Sequence, residues 1–484
     1  MTTSLHVAFA ASEMFPYMKT GGLADVTAAL PKALGRLGHR VTVFLPRYGA
    51  IPFPPGEHVG FVHVPVDGVH RRAGFFRRAH APGVEVVFVE HPPFFDRPAP
   101  YGEHNRDYPD NALRFAFFSR AVVEYFRSRG QRPDVFHAHD WQTGLLPVYL
   151  KAFYGDDPVL RRAPTVFTIH NLAYQGNFGL DVLGLLGLPP HLGTTEGLEF
   201  HGWASYMKAG IVFSEMVSTV SPQYAREIQT PEFGYSMDGV LRARRDDLVG
   251  ILNGVDYEEW DPAHDPHIAR RYTARAPAGK RACKLDLLRA YGLPAEPDVA
   301  LAGVISRLVW DKGLDLVVAA GEELLRRPMR LVVLGTGEAA VQAGFAALAA
   351  RAPDRVSARF AYDTALAHKV EAGADVFLMP SRTEPCGLTQ MYSLRYGTVP
   401  IVRATGGLVD TVEDYDGAAD QGTGFRFGPA DPPALLGALD RALAAHADST
   451  RWRGLMRRGM SRDFGWERSA QHYVELYSRA RALA

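Results

Sequence analysis

The sequence predicts an α/β protein with two doubly wound halves that face each other across a deep cleft. Three observations carry this. Short apolar runs of strand length alternate with amphipathic, helix-length segments, and polar or glycine-bearing loops follow successive runs. The rhythm breaks over residues 257–281, which hold Trp, Pro, His and Arg without apolar periodicity, and then restarts. The loops gather at the ends of strands, where ligands of open α/β sheets bind.

At 484 residues the chain is long enough for several domains. Its 53 basic and 53 acidic residues cancel, which argues against a nucleic-acid footprint or a membrane-attracting surface. Two distant cysteines, Cys283 and Cys386, give neither a disulfide framework nor metal spacing and fit a reducing, cytoplasmic setting. The start MTTSLHVAFA lacks a basic leader region and a membrane-length apolar run, and reads as the first strand.

The first series opens with that strand, a loop over 11–22, a helix over 23–37 ended by Gly38, and a strand over 41–45. The loop carries Lys19, Thr20, Gly21 and Gly22, an ammonium beside bare backbone amides at a helix start; it suits either a phosphate or sugar contact or a glycine-softened turn. Residues 50–110 read as an insertion with a strand candidate at 84–89, and the polar stretch 101–111 as a mobile loop near the cleft. A helix over 112–127 precedes a strand over 134–138 that ends in His139, Asp140 and Trp141.

A helix over 144–153 and a strand over 165–169 follow, the latter ending in His170 and Asn171, before Tyr174. His137 and His139 share one side of a strand, but no further ligand at metal spacing accompanies them, so they are expected to end the strand and shape the cleft floor. Strands over 216–220 and 248–252 complete the series, the second followed by Asn253.

The second series has a helix over 282–291 and strands over 299–305, 330–334, 356–360, 375–379 and 399–402. Its centre is the stretch 374–412. The run Val376, Phe377, Leu378, Met379 reads as a strand covered on both faces, and the loop after it holds one carboxylate, Glu384. Gly387 is expected to open a helix with free N–H groups, and Gly406 and Gly407 form a second glycine loop after the next strand. Each loop by itself suits a ligand site or a turn. The expected boundaries are 1–253 for the first domain, 254–464 for the second, and a helix over 465–484 that packs back on the first.

Six stretches in order, KTGGLADV at 19–26, HAHDW at 137–141, TIHNLAYQG at 168–176, GILNGVD at 250–256, SRL with DKG at 306–313, and EPCGLTQ with RYGTVPIV and TGGLVDTV from 384, resemble the bacterial glycogen synthase and plant starch synthase family. The resemblance covers almost the whole chain. It implies the GT-B fold, with two Rossmann-like domains, and transfer of glucose from ADP-glucose to the 4-hydroxyl at the non-reducing end of an α-1,4-glucan with retention, needing no metal or other cofactor. By likeness of position, Arg307 and Lys312 bind the nucleotide's phosphates, with Lys19 and the amides of Gly21 and Gly22 assisting from the other domain. Asp25, Asn253 and Tyr362 match residues that touch the donor, and His170 lies at the donor sugar's reacting face. Glu384, Cys386, Gly387, Leu388 and Thr389 hold sugar hydroxyls and the distal phosphate, while His139, Asp140, Trp141, Asn171 and Tyr174 line the acceptor side.

These residue types suit the chemistry. A departing nucleoside diphosphate gathers negative charge, which fixed cations stabilise where it develops. The sequence shows no paired carboxylates for double displacement. A same-face substitution is therefore expected, with the leaving phosphate accepting the acceptor's proton; whether Glu384 stabilises charge or orients the sugar stays open. Two positions depart from wider patterns. Tyr392 stands where the superfamily often has a second carboxylate eight residues after the first, and Asp311 stands beside Lys312 in place of an uncharged Gln. The competing readings are another glucosyltransferase of the same fold, with a UDP-glucose donor or a different acceptor, and an inactive glucan-binding protein.

Overall fold

The computed structural model describes residues 4–104 and 106–484. The chain divides into two compact units, Met1–Gly254 with Trp466–Ala484, and Val255–Gly465. Among the described residues no helix is long and apolar enough to cross a membrane.

The first unit is built on β1 (His6–Ala10), α1 (Gly22–Arg36), β2 (Arg40–Pro46), β3 (Glu57–Val66), β4 (Val69–Ala81), β5 (Val84–Glu90), α2 (Asn111–Ser128), β6 (Val135–His139), α3 (Leu145–Phe153), β7 (Thr165–Ile169), β8 (Met216–Thr219) and β9 (Leu248–Gly250). The nine strands form one sheet in the order β9-β8-β7-β6-β1-β2-β5-β4-β3. From β9 to β5 all neighbours are parallel, and β4 and β3 continue the sheet antiparallel. The strands read as continuous apolar runs because both faces are covered: Val7, Phe9, Val41, Val43, Phe44, Phe136 and Phe167 are fully buried.

The stretch 50–110, read as an insertion, holds the β3-β4 hairpin, which extends the sheet at one edge, and the strand candidate at 84–89 is β5. The hairpin's signal was a period of two, in which Val62, Val64 and Val66 are buried while their neighbours are more exposed. The stretch expected to be a mobile loop is tied down at Tyr101 by its hydroxyl and by its carbonyl, which accepts Asn111 Nδ2 at 2.8 Å; residue 105 of that stretch lies outside the described residues.

The second unit opens with an irregular stretch and α4 (Gly279–Ala290), then β10 (Ala300–Ile305), β11 (Met329–Leu334), β12 (Val356–Arg359), β13 (Val376–Met379), α5 (Thr389–Arg395), β14 (Val399–Arg403), α6 (Gly407–Thr411) and β15 (Phe425–Phe427). The sheet order is β12-β11-β10-β13-β14-β15, parallel throughout. Alternation splits each strand between two cores: Leu331, Val333, Val376 and Leu378 enter one, Val332, Leu334 and Phe377 the other. The expected helix start at Gly387 is corrected to Thr389. Gly387 has φ +71°, which bends the chain before the helix begins.

The C-terminal helix, Trp466–Leu483, packs on α1, β6, β7 and β8 of the first unit. Tyr477 Oη meets His137 Nδ1 at 2.9 Å, and Ser469 Oγ donates to the Leu252 carbonyl at 2.6 Å.

Candidate active-site loops in the two units

Each sheet has one pair of neighbouring parallel strands from which the chain builds outward to either side, and the crevice at such a point opens beyond the carboxyl ends of the two strands that flank it. In the second unit these strands are β10 and β13. The loop after β10 carries Lys312 and the loop after β13 carries Glu384, and Lys312 Nζ lies 2.7 Å from Glu384 Oε2. Ser381 Oγ donates to the same oxygen at 3.0 Å. Glu384 is buried and its partner mostly so.

Two close backbone approaches hold this pair. Gly313 has φ +67°, and a Cβ there would collide with the Pro380 carbonyl oxygen; Gly406 has φ +46°, and a Cβ there would collide with that of Glu384. Gly407 N–H donates to the same Glu384 carbonyl at 3.1 Å, which packs the two glycine loops together. Arg382 fastens the loop from the other side. Its N–H donates to the Asp311 carbonyl at 2.8 Å and its guanidinium pairs with Asp315 at 2.6 Å.

Arg307, on the loop after β10, is exposed, and its guanidinium has no hydrogen-bond partner among the described residues. Cys386 is buried, Leu388 is half-buried at the cap of α5, and Thr389 Oγ1 donates to Met379 Sδ at 3.6 Å. Tyr362 is 82% exposed. Tyr392 lies flat on Trp260, with ring centroids 4.1 Å apart and planes within 1°.

In the first unit β1 and β6 flank the reversal. The loop after β1 is organised by Glu13, a residue with no motif signal beyond its place after a strand. Its carboxylate accepts from Thr20 N–H at 2.5 Å, Thr20 Oγ1 at 2.6 Å, Gly21 N–H at 3.2 Å and Tyr101 Oη at 2.6 Å. This corrects the expectation of bare amides at Gly21: that N–H serves an internal carboxylate. Gly22 begins α1. Lys19 Nζ pairs with Asp25 at 2.6 Å, and burial raises the Asp25 carboxyl above its ordinary range despite that cation.

Beyond β6, Asp140 adopts φ +56° and turns its carboxylate onto the end of β7, where Oδ1 accepts from His170 N–H at 2.7 Å and Asn171 N–H at 3.4 Å. Burial pushes its pKa up to about 7, against those two donors. His139 Nδ1 and His170 Nε2 are 3.0 Å apart. Burial lowers both imidazoles, His170 to about 3, so both are neutral near pH 7. Among the described residues His139 Nε2 is buried without a partner. A bare nitrogen there costs less than an orphaned N–H, so the proton sits on His139 Nδ1 and is donated to His170. That leaves His170 Nδ1 as the protonated, outward nitrogen.

His137, whose ring centroid lies 4.0 Å from that of His139, is held by Tyr477 and by Thr168, the latter at 2.6 Å. Trp141 is buried among Phe115, Phe178 and Tyr206. Asn171 Oδ1 accepts Ala173 N–H at 3.0 Å, Tyr174 is 57% exposed, and Asn253 is buried with Oδ1 unpartnered among the described residues. Among the described residues no group of three or more His, Cys, Asp or Glu side chains is arranged to hold a metal ion.

Two parallel-stranded units with charged loops at their reversal points form the architecture of a GT-B glycosyltransferase, and the comparisons with known proteins agree. The chain is similar to the catalytic domain of starch synthase IV from Arabidopsis thaliana, solved with ADP and acarbose, at 36% identity and a TM-score of 0.91, covering 99% of this chain and 100% of that one. Sucrose-phosphate synthase from Thermosynechococcus elongatus shares the fold at 18% identity and a TM-score of 0.61, over 99% of this chain and 100% of that one.

The starch synthase catalytic domain family matches residues 6–243, and glycosyl transferases group 1 match residues 292–454. Glycogen synthases from Anaeromyxobacter sp. strain Fw109-5 and Koribacter versatilis are 52% and 48% identical, over 98% and 99% of this chain and 99% of each relative. The chain belongs to the glycogen synthase and starch synthase family.

Proposed function

We propose that the protein transfers glucose from ADP-glucose to the non-reducing end of an α-1,4-glucan with retention of configuration, in the cytoplasm and without a metal. The observation that carries this reading is the Lys312–Glu384 pair at the reversal point of the second unit, with the unpaired guanidinium of Arg307 on the same loop as Lys312. A lysine held by a carboxylate, with an exposed guanidinium on the same loop, suits a leaving diphosphate that gains charge as the glycosidic bond breaks. Arg offers a planar fork for a phosphate and Lys a compact charge. The Arabidopsis relative, solved with ADP and acarbose, supports an adenine nucleotide and an α-glucan as ligands.

In this reading Lys312 and Arg307 stabilise the departing phosphates, while Lys19 assists. Glu384 orients Lys312 and the sugar. Cys386, Gly387, Leu388 and Thr389 line the sugar and distal phosphate, and Asp25, Asn253 and Tyr362 touch the donor. His170, neutral and protonated at Nδ1, donates to a sugar hydroxyl. The acceptor's 4-hydroxyl attacks from the face that the phosphate leaves, and a phosphate oxygen takes its proton.

Incubating the protein with glycogen and labelled ADP-glucose tests the reading. Incorporation as α-1,4 linkages is expected, with UDP-glucose a poorer donor. No incorporation from ADP-glucose overturns it, and faster incorporation from UDP-glucose overturns the donor assignment.

A further inference from the structure

Residues 257–278 form neither helix nor strand, yet this strap lies along one face of α5. Tyr392, Arg395 and Tyr396 are spaced three and four positions from the first, so they share that face. All three are engaged by the strap. Tyr392 stacks on Trp260, the Arg395 guanidinium pairs with Asp261 and lies 4.5 Å over the Tyr257 ring, and Tyr396 Oη donates to Asp265 at 2.5 Å. Tyr272 Oη closes the far end by donating to the Tyr396 carbonyl at 2.7 Å. α5 is seven residues long. A helix that short has little stability of its own, so its placement comes from such contacts.

Trp260 is gripped on both faces. His368, on the helix Thr364–Gly373, stacks on it with ring centroids 3.9 Å apart and planes within 7°, and Tyr392 does so with centroids 4.1 Å apart and planes within 1°. Two rings this close to a third and parallel to it would collide on one face, so they cover opposite faces. His368 is fixed in turn: Nδ1 donates at 2.7 Å to the same Asp265 oxygen that accepts Tyr396 Oη. The strap thus bridges the helix Thr364–Gly373 to α5 twice, once by a stacked indole and once by a buried carboxylate. At its other end α5 is tied to the Glu384 loop. Gln390 Nε2, in the first turn, donates to the Cys386 and Gly387 carbonyls, each at 3.0 Å, so a shift of the helix is passed to the loop.

We infer that Trp260 is a positioning residue for the transfer reaction: clamped between His368 and Tyr392, it sets the place and rotation of α5 and, through that helix, of residues 384–389. The inference rests on the glucosyltransferase reading for the reaction that is served. Trp260 acts through α5, so its loss displaces the groups around the leaving phosphate and removes none of them. A displacement on the order of 1 Å at such groups can cost about 100-fold in rate.

Two substitutions test this. Trp260→Leu keeps an apolar side chain that is not flat, and Trp260→Phe keeps a ring that can enter the stack. Steady-state kinetics give kcat per competent site, with sites counted by calorimetric titration with ADP. Hydrogen exchange of peptides covering 384–395, read by mass spectrometry, reports the loop and helix directly. Trp260→Leu is expected to lower kcat per site by about tenfold or more, with the glycogen KM within about twofold of wild type, and to speed exchange over 384–395 but not over β10. Trp260→Phe is expected to recover most of both. Tyr392→Leu opens the stack from the other side, serves if Trp260→Leu fails to fold, and is expected to behave as that variant does. A tryptophan that merely fills space would lower the melting temperature alone. Unchanged kcat per site and unchanged exchange in a folded leucine variant therefore overturn the inference, as does a phenylalanine variant no better than leucine. A wild-type protein that incorporates no glucose overturns the glucosyltransferase reading instead, and the exchange measurement then decides the positioning by itself.

Discussion

Lys312 Nζ stands 2.7 Å from Glu384 Oε2, although 72 residues separate them in the chain. The sheet order brings them together: β10 and β13 are neighbours, and each contributes the loop beyond its carboxyl end. A cation and a carboxylate held in this way neutralise each other's charge where both are largely buried.

Removing either partner is therefore expected to cost activity more than structure. Glu384→Gln and Lys312→Ala should each lower kcat by at least about 100-fold, with circular dichroism unchanged. Near-normal turnover in either variant would refute its role.

Gly406 makes a different prediction. Its left-handed backbone and the closeness of the Glu384 carbonyl leave no room for a methyl group. Gly406→Ala should shift the Glu384 loop, reduce activity by at least about tenfold and destabilise by about 1–3 kcal/mol. A thermal melt and an activity assay on the same preparation check both.

Asp140 titrates in the physiological range. Its carboxyl is raised to about 7 by burial, so the folded chain holds a proton there that the unfolded chain releases near its ordinary value of 3.8. The sign follows: the contribution is fully present below about pH 4 and is lost as pH rises through about 7. Asp140→Asn keeps an oxygen for the His170 and Asn171 amides and cannot ionise. The stability difference between variant and wild type should therefore move in the variant's favour from pH 4 to pH 8, as read from melting temperatures. A difference that is flat with pH would count against the raised value.

Tyr477→Phe removes the hydroxyl that meets His137 Nδ1 and leaves a buried nitrogen without that partner. A loss of about 1–3 kcal/mol is expected in urea unfolding, with glucosyl transfer at 25 °C preserved. This separates His137, which anchors the C-terminal helix, from His139, which supports His170.

The parallel strands and the loops that carry the charged groups were legible in the sequence because both signals are local. A buried parallel strand is a run of apolar residues, and the residue after it is where its loop begins. The runs around Val376 and Val304, with Glu384 and Lys312 beyond them, could be read without knowing which strand lies beside which. The β3-β4 hairpin was harder to read, since the exposed Phe61 and the Arg-rich β4 blur its alternation.

Partner choice was decided by tertiary structure alone. The sequence places an ammonium and two glycines at 19–22, but only the adjacency of that loop to Glu13 and Tyr101 determines that Gly21 N–H is already engaged. It places His137, His139 and His170 at strand ends, but not which imidazole meets Tyr477 and which meets the other. Nor does it give the raised carboxyl of Asp140, which follows from burial against the end of β7. Hydrogen-bond partners and desolvation depend on which loops the sheet order makes neighbours, and residues such as Asp140 and His170 meet across 30 positions of intervening chain. The sequence determined which groups were available for chemistry; the fold decided which were already bound to one another and which were left to meet a ligand.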